Sequence, residues 1–286
     1  MNTTTLTEKT VSYDGTQIFF AEAGTGPAIV LLHGGGPGAT GTSNYSKNIA
    51  ELAKSFRVIV PDMPGYGRST RQTDKSNPLG FVADSIRGML DVLEIEKASL
   101  VGNSWGGACA LRLALDSPHR VERLVLMGPG GVGTTKAPPT AGLRKLLDYY
   151  RGAGPSRERL DEFIRTYLVY DSDSVPAHLI DDRYRDSIDP ESIAHFPLRR
   201  PSSLSELRVM RRMDFTRDPR LAQLTTPTLV IWGAEDKINR PNGGRILART
   251  MPNCDLLLAA NTGHWVQWER AEMFNDVVRT FLAPTA

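Results

Sequence analysis

Cysteine is scarce: Cys109 and Cys254 are the two in 286 residues. Two lone cysteines make neither a disulfide framework nor a paired-thiol metal site, and they fit a reducing cytoplasm. Histidine is scarce as well, with five. No H-x-H or H-E-x-x-H spacing occurs, so no metal is expected. Neither sign of charge prevails: 34 Lys and Arg face 32 Asp and Glu, a formal net charge of +2. That balance removes the electrostatic argument for a nucleic-acid or anionic-membrane partner. Apolar runs such as Ile29 to Leu32 are far below the roughly 20 residues that span a bilayer. Met1 to Thr10 is polar and lacks the apolar stretch of a signal peptide. Repeats and low-complexity tracts are missing too. What remains is 40% hydrophobic and 23% charged, a globular composition with length enough for one large core.

The apolar segments alternate with helical patterns. Gln17 to Ala21 reads as a strand beside Val11 to Tyr13. Ala28 to Leu32, Arg57 to Val60, Ala98 to Val101, Val121 to Met127, Thr228 to Trp232 and Cys254 to Leu258 read as buried strands of a parallel sheet. Helical patterns fall at Asn44 to Lys54, Val82 to Leu93, Ala108 to Asp116, Gly244 to Thr250 and Ala271 to Leu282. Such alternation predicts an α/β fold, a mostly parallel sheet with helices on both faces. It fails over residues 133–213, where prolines break short helix candidates at Leu143 to Tyr150 and Arg157 to Leu168. This stretch reads as a helical lid inserted after the Val121 to Met127 strand, with 1–132 and 214–286 forming the core.

Gly102-Asn103-Ser104-Trp105-Gly106 matches G-x-S-x-G between a strand and a helix. A sharp turn there lifts a serine hydroxyl clear of the sheet and aims a helix N-terminus at the same place. A serine nucleophile needs a base, and the base an orienting acid. His264 follows the last strand and Asp236 the one before it. The chain order Ser104, Asp236, His264 is that of the α/β-hydrolase arrangement, with Glu235 as the rival acid. The glycine run after the Ala28 to Leu32 strand can offer an oxyanion donor from Gly35 or Gly36, with the N–H of Trp105 as the second. Gly36 to Gly41 also matches G-x-G-x-x-G, with Asp62 placed as a dinucleotide fold would want. Pro37 removes a phosphate-binding N–H from that loop, so no cofactor is assigned. Asp171-Ser172-Asp173 resembles a calcium-loop start, but Pro176 stands where its glycine belongs. Arg199, Arg200, Arg208, Arg211 and Arg212 read as a solvated helical face.

Taken together, these motifs resemble the meta-cleavage product hydrolases, the carbon–carbon bond hydrolases of the α/β-hydrolase superfamily. The resemblance spans nearly the whole chain. It rests on Leu32 to Ala39 with Ser43-Asn44-Tyr45, Asp62 to Ser69, Val101-Gly102-Asn103-Ser104, Leu126 to Gly131 and Gly263 to Glu269. It implies a small-molecule substrate, a 2-hydroxy-6-oxohexa-2,4-dienoate with a variable 6-substituent. The products would be 2-hydroxypenta-2,4-dienoate and a carboxylic acid. The resemblance further implies substrate contacts at Gly36, Asn44, Asn103 and Trp265, a lid arginine at Arg183 for the carboxylate end, and a homo-oligomer. An arginine suits such an anion because its charge persists and its fork matches a carboxylate. Two features depart from the family pattern: Phe196 to Pro201 is rich in proline and arginine, and Trp105 is bulkier than the usual residue. A proline iminopeptidase, an esterase or lactonase, and a non-catalytic ligand receptor are the alternative readings of the same motifs.

Overall fold

The computed structural model describes residues 5–283. The expectations touching 1–4, including the start of the polar lead and of the core, and those touching 284–286 lie outside them. Eight strands form one sheet: β1 (Thr7–Tyr13), β2 (Thr16–Ala23), β3 (Ala28–Leu32), β4 (Arg57–Pro61), β5 (Ala98–Asn103), β6 (Val121–Met127), β7 (Thr228–Gly233) and β8 (Cys254–Ala259). Their spatial order is β1-β2-β4-β3-β5-β6-β7-β8. The pairs β1/β2 and β2/β4 are antiparallel and the remaining ladders parallel. Polar Thr7 to Thr10, expected to precede the first strand, is part of β1. It sits at the sheet edge and is exposed, where polar side chains remain hydrated.

Every residue of β5 and β7 is buried. Alternate residues serve different cores: Val30, Leu100 and Leu124 face one cluster, while Ile29, Val101 and Val125 face the other. A parallel sheet needs this double burial because helices cover both faces. Among those helices are α1 (Gly41–Tyr45), α2 (Ile49–Leu52), α3 (Pro78–Val92) and α4 (Trp105–Asp116). The single helix expected over Asn44 to Lys54 is thus two short ones, and α4 begins at Trp105, three residues before its apolar pattern suggests.

Between β6 and β7 the chain forms no strand. It forms α5 (Ala141–Leu147), α6 (Arg157–Glu162), α7 (Ala177–Ser187), α8 (Pro190–His195) and α9 (Leu204–Arg212). A π-helical turn at Phe163–Leu168 continues α6. The two ends of this insertion are pinned together. The Asp214 carboxylate accepts the backbone N–H groups of Gly133 (3.1 Å) and Thr135 (2.9 Å), and Phe215 N–H donates to Gly131 O at 2.7 Å. Arg208, Arg211 and Arg212 lie on exposed α9, but Arg199 and Arg200 precede it in the loop, so they form no common helical face. After β7 come α10 (Asn242–Thr250), α11 (Val266–Glu269) and α12 (Ala271–Leu282).

Candidate active site

The C-terminal ends of β5, β7 and β8 bring Ser104, Asp236 and His264 to one edge of the sheet. Ser104 has φ 53° and ψ −111°, a strained conformation of the kind concentrated at functional turns. The strain is held from both sides. Ser104 N–H donates to Met127 O at 2.8 Å, and Ser104 O accepts from Ala108 and Gly130 N–H at 3.0 Å each. The flanking glycines are required by crowding. A Cβ on Gly102 would sit 2.5 Å from Gly106 O, and one on Gly106 would strike Leu32 O.

His264 is buried and its Nδ1–H donates to Asp236 Oδ2 at 2.7 Å. With that proton on Nδ1, Nε2 is the acceptor, and it has no hydrogen-bond partner among the described residues. Asp236 is saturated by donors. Oδ1 accepts Ile238 N–H (2.8 Å) and Asn239 N–H (2.9 Å), and Oδ2 also accepts the Trp232 indole N–H at 2.9 Å. Four donors hold the carboxylate in one orientation, as an orienting acid requires. The rival Glu235 points elsewhere: its carboxylate accepts Thr262 N–H at 2.9 Å and braces the histidine loop.

Gly34, Gly35 and Gly36 line a small pocket with Asn44, Asn103, Ser104, Arg183, His264 and Trp265, closed by apolar Leu146, Phe163, Leu168 and Ile238. The N–H groups of Gly35 and Trp105 donate to no other group among the described residues, leaving both for an oxyanion. The amides expected to touch substrate are largely engaged within the chain. Asn44 Oδ1 accepts Trp265 Nε1–H at 3.1 Å, and Asn103 Nδ2 donates to His264 O at 3.1 Å. They frame the pocket and hold the histidine loop. Arg183 is 2% exposed. Its Nε donates to Pro37 O at 3.1 Å, and its guanidinium lies 5.3 Å over the Trp265 ring. No acidic side chain pairs with it among the described residues. Burial lowers its pKa to about 10, so the charge persists at neutral pH.

A second, larger cavity of about 370 Å³ meets Ser104 from the other side. Its walls are mostly apolar, with Trp105, Leu143, Leu146, Met213 and Ile238 among them. Neither cavity is lined by an Asp or Glu.

Two further residues of the site, Gly128 in the Leu126 to Gly131 motif and Glu269, were not singled out by the sequence. Gly128, at φ +47°, is where a Cβ would come 3.0 Å from Asp236 Oδ2 and 3.1 Å from His264 Nδ1. Glu269 accepts Gly263 N–H (2.8 Å) and Tyr170 N–H (2.7 Å), tying the insertion to the histidine loop. Its place in the Gly263 to Glu269 motif was the one available signal. The G-x-G-x-x-G glycines also find their explanation: Gly41 N–H donates to Asp62 Oδ1 at 2.9 Å, so Asp62 staples this loop to its own. Asp171 accepts Asp173 N–H at 3.0 Å, capping a 3₁₀ turn.

Residues 27–271 match a family described as the alpha/beta hydrolase fold. A 2-hydroxy-6-oxononadienedioate/2-hydroxy-6-oxononatrienedioate hydrolase of Comamonas testosteroni is 39% identical, over 98% of this chain and 95% of its own. A 2-hydroxy-6-oxo-6-phenylhexa-2,4-dienoate hydrolase of Burkholderia cepacia is 38% identical, over 98% and 95%. The solved structure of a meta-cleavage product hydrolase from Pseudomonas fluorescens superposes with a TM-score of 0.85 at 32% identity, covering 96% of each chain.

Proposed function

This chain belongs to the α/β-hydrolase family, among the meta-cleavage product hydrolases, and from that membership and the site geometry we propose that it hydrolyses the C5–C6 bond of a 2-hydroxy-6-oxohexa-2,4-dienoate, with Ser104, Asp236 and His264 as its catalytic triad. The products are 2-hydroxypenta-2,4-dienoate and a carboxylic acid. One observation carries the substrate class: a buried arginine without an acidic partner shares a pocket with Ser104 and His264. A lone buried charge is costly unless something pairs it, and a substrate carboxylate would. A neutral ester would leave it unpaired. A free-amine substrate, as for an iminopeptidase, would want the carboxylates that neither cavity has.

The reading assigns Arg183 to the C1 carboxylate end, in a pocket framed by Gly36, Asn44, Asn103 and Trp265. Ketonisation takes the proton from the C2 hydroxyl and places one on C5. Ser104 then attacks the C6 carbonyl while His264 Nε2 takes its proton, and Asp236 stabilises the resulting imidazolium. The N–H groups of Gly35 and Trp105 point to the developing oxyanion. On cleavage, the C5–C6 electron pair passes through the C3–C4 double bond of the keto tautomer to the C2 oxygen, which takes the proton from the His264 imidazolium; water, deprotonated by His264, then attacks the acyl-serine, and Ser104 regains that proton as the carboxylic acid leaves. Residues 133–213 act as a lid on the core of 1–132 and 214–286, supported by Phe163 and Arg183 lining the small pocket from the insertion. No helix among the described residues is long and apolar enough to cross a membrane. A cytoplasmic homo-oligomer belongs to the same reading, supported by the unpaired cysteines and by the family resemblance. The test is the decay of a coloured dienoate followed by absorbance. Ser104→Ala should lose about 10⁴-fold or more in rate while still binding substrate. Turnover near that of the native enzyme would reject the assignment.

A further inference from the structure

The cavity on the far side of Ser104 has a chemistry of its own. It is lined by Trp105, Leu143, Leu146, Met213, Ile238 and Ile246 among others. The polar side chains on its walls are turned to other work. Thr140 Oγ1 donates to Ile238 O at 2.7 Å, Asn239 Nδ2 to Gly128 O at 2.8 Å, and the Trp232 indole to Asp236. Thr134 and Asn242 are exposed at the mouth, so what faces the interior beyond Ser104 is mostly apolar surface. The only charged lining groups are Lys136 and Arg240. Both are exposed at the rim, where water already solvates them, and Arg240 donates to Pro138 O at 2.9 Å.

We propose that this enzyme is specific for substrates whose 6-substituent is an uncharged aryl group, one ring or two fused rings, seated in this cavity with Trp105 as the wall beside the reacting carbon. The proposal rests on the C–C hydrolase reading above. Size argues for it. At about 370 Å³ the cavity lies in the range of roughly 300 to 1,000 Å³ that takes a sizeable ligand. A methyl substituent would leave most of it to water, about a dozen molecules at about 30 Å³ each. An aryl group would displace them, and each buried methylene-sized group is worth about fourfold in kcat/KM. Charge argues for it too. An acid-ended chain would carry a carboxylate into walls that offer it no buried cation, and a buried charge without a partner is strongly disfavoured. Trp105 gives a ring an aromatic face against which to pack.

The test is kcat/KM on four dienoates with 6-methyl, 6-phenyl, 6-naphthyl and 6-(2-carboxyethyl) groups. Phenyl or naphthyl should exceed both methyl and carboxyethyl by on the order of 100-fold. A carboxyethyl or methyl substrate turned over as well as the aryl ones would overturn the aryl proposal while leaving the C–C hydrolase reading intact. If none of the four were cleaved, that underlying reading would fail instead. Ile246→Trp, on the half-exposed face of α10, fills the far wall. It should lower the aryl-to-methyl ratio by about tenfold. An unchanged ratio would place the substituent elsewhere. Lys136→Gln and Arg240→Gln should leave aryl turnover unaltered; a selective loss on the carboxyethyl substrate, with that substrate preferred by the native enzyme, would show that the rim reads an anion.

Discussion

Replacing Asp236 by asparagine separates orientation from mere contact. The carboxylate receives four donors: two backbone N–H groups on Oδ1, and the Trp232 indole and His264 Nδ1 on Oδ2. Asparagine keeps one acceptor oxygen. If it stays on the Ile238 and Asn239 amides, its NH₂ meets two N–H groups head on. His264 then relieves the clash by moving its proton to Nε2, and Nε2 can no longer accept from Ser104. The expected loss in kcat is about 10³ to 10⁴-fold, equivalent to about 4 to 5.5 kcal/mol of barrier. The Trp232 donor, left with only Asn239 O at 3.2 Å, should lower stability by about 1 kcal/mol. Single-turnover absorbance of a dienoate measures the first quantity and urea unfolding the second. Glu235→Gln is the control, since a glutamine oxygen can still accept Thr262 N–H, and its rate should stay within a few-fold. A loss under tenfold for Asp236→Asn, or a larger one for Glu235→Gln, would refute the assignment.

Arg183→Gln should cost about 30 to several thousand-fold in kcat/KM on dienoates and spare neutral esters; Arg183→Lys should recover part of it. Equal loss on both substrates would make Arg183 a structural lid residue. His33 is buried, and burial lowers its pKa to about 4. The folded state thus binds its proton more weakly than the unfolded chain. Stability should be full above about pH 6.5 and fall towards pH 4, and His33→Gln should flatten that stretch of a Tm-versus-pH curve. Glu269→Gln keeps one acceptor for the N–H groups that Glu269 now holds. Amide exchange at Gly263 and Tyr170 should accelerate more than at core strands, with about 1 to 3 kcal/mol lost overall.

How much of this the sequence determined depends on the range of the interaction. β3 to β7 could be read within a residue or two because a doubly covered parallel sheet demands unbroken apolar runs, and that demand is local; β8 was also placed within a residue but, read as buried, lies half exposed at the sheet edge. The elbow was legible as a motif between a strand and a helix: Gly102 is imposed by Gly106 across one tight turn, whereas the need for Gly106 comes from Leu32 O on the neighbouring strand, a contact the motif does not show. The choice of Asp236 over Glu235 was different. Two adjacent carboxylates have the same local pattern, and only the packing of β7 against β8 turns one to His264 and the other to Thr262. Arg199 and Arg200 read as helical because charge runs carry no mark of where a helix begins, and Pro197 and Pro201 on either side keep that segment out of a helix. The amide frame of Asn44, Asn103 and Trp265, and the room that Gly128 leaves beside the triad, join segments far apart in the chain. The shape and apolarity of the large cavity depend on helices of the insertion meeting β-strand ends, a many-body outcome of packing. Sequence determined the chemistry of the candidate catalytic groups; tertiary structure alone decided which groups meet, which charges lie buried without a partner, and how much apolar space lies beside the serine.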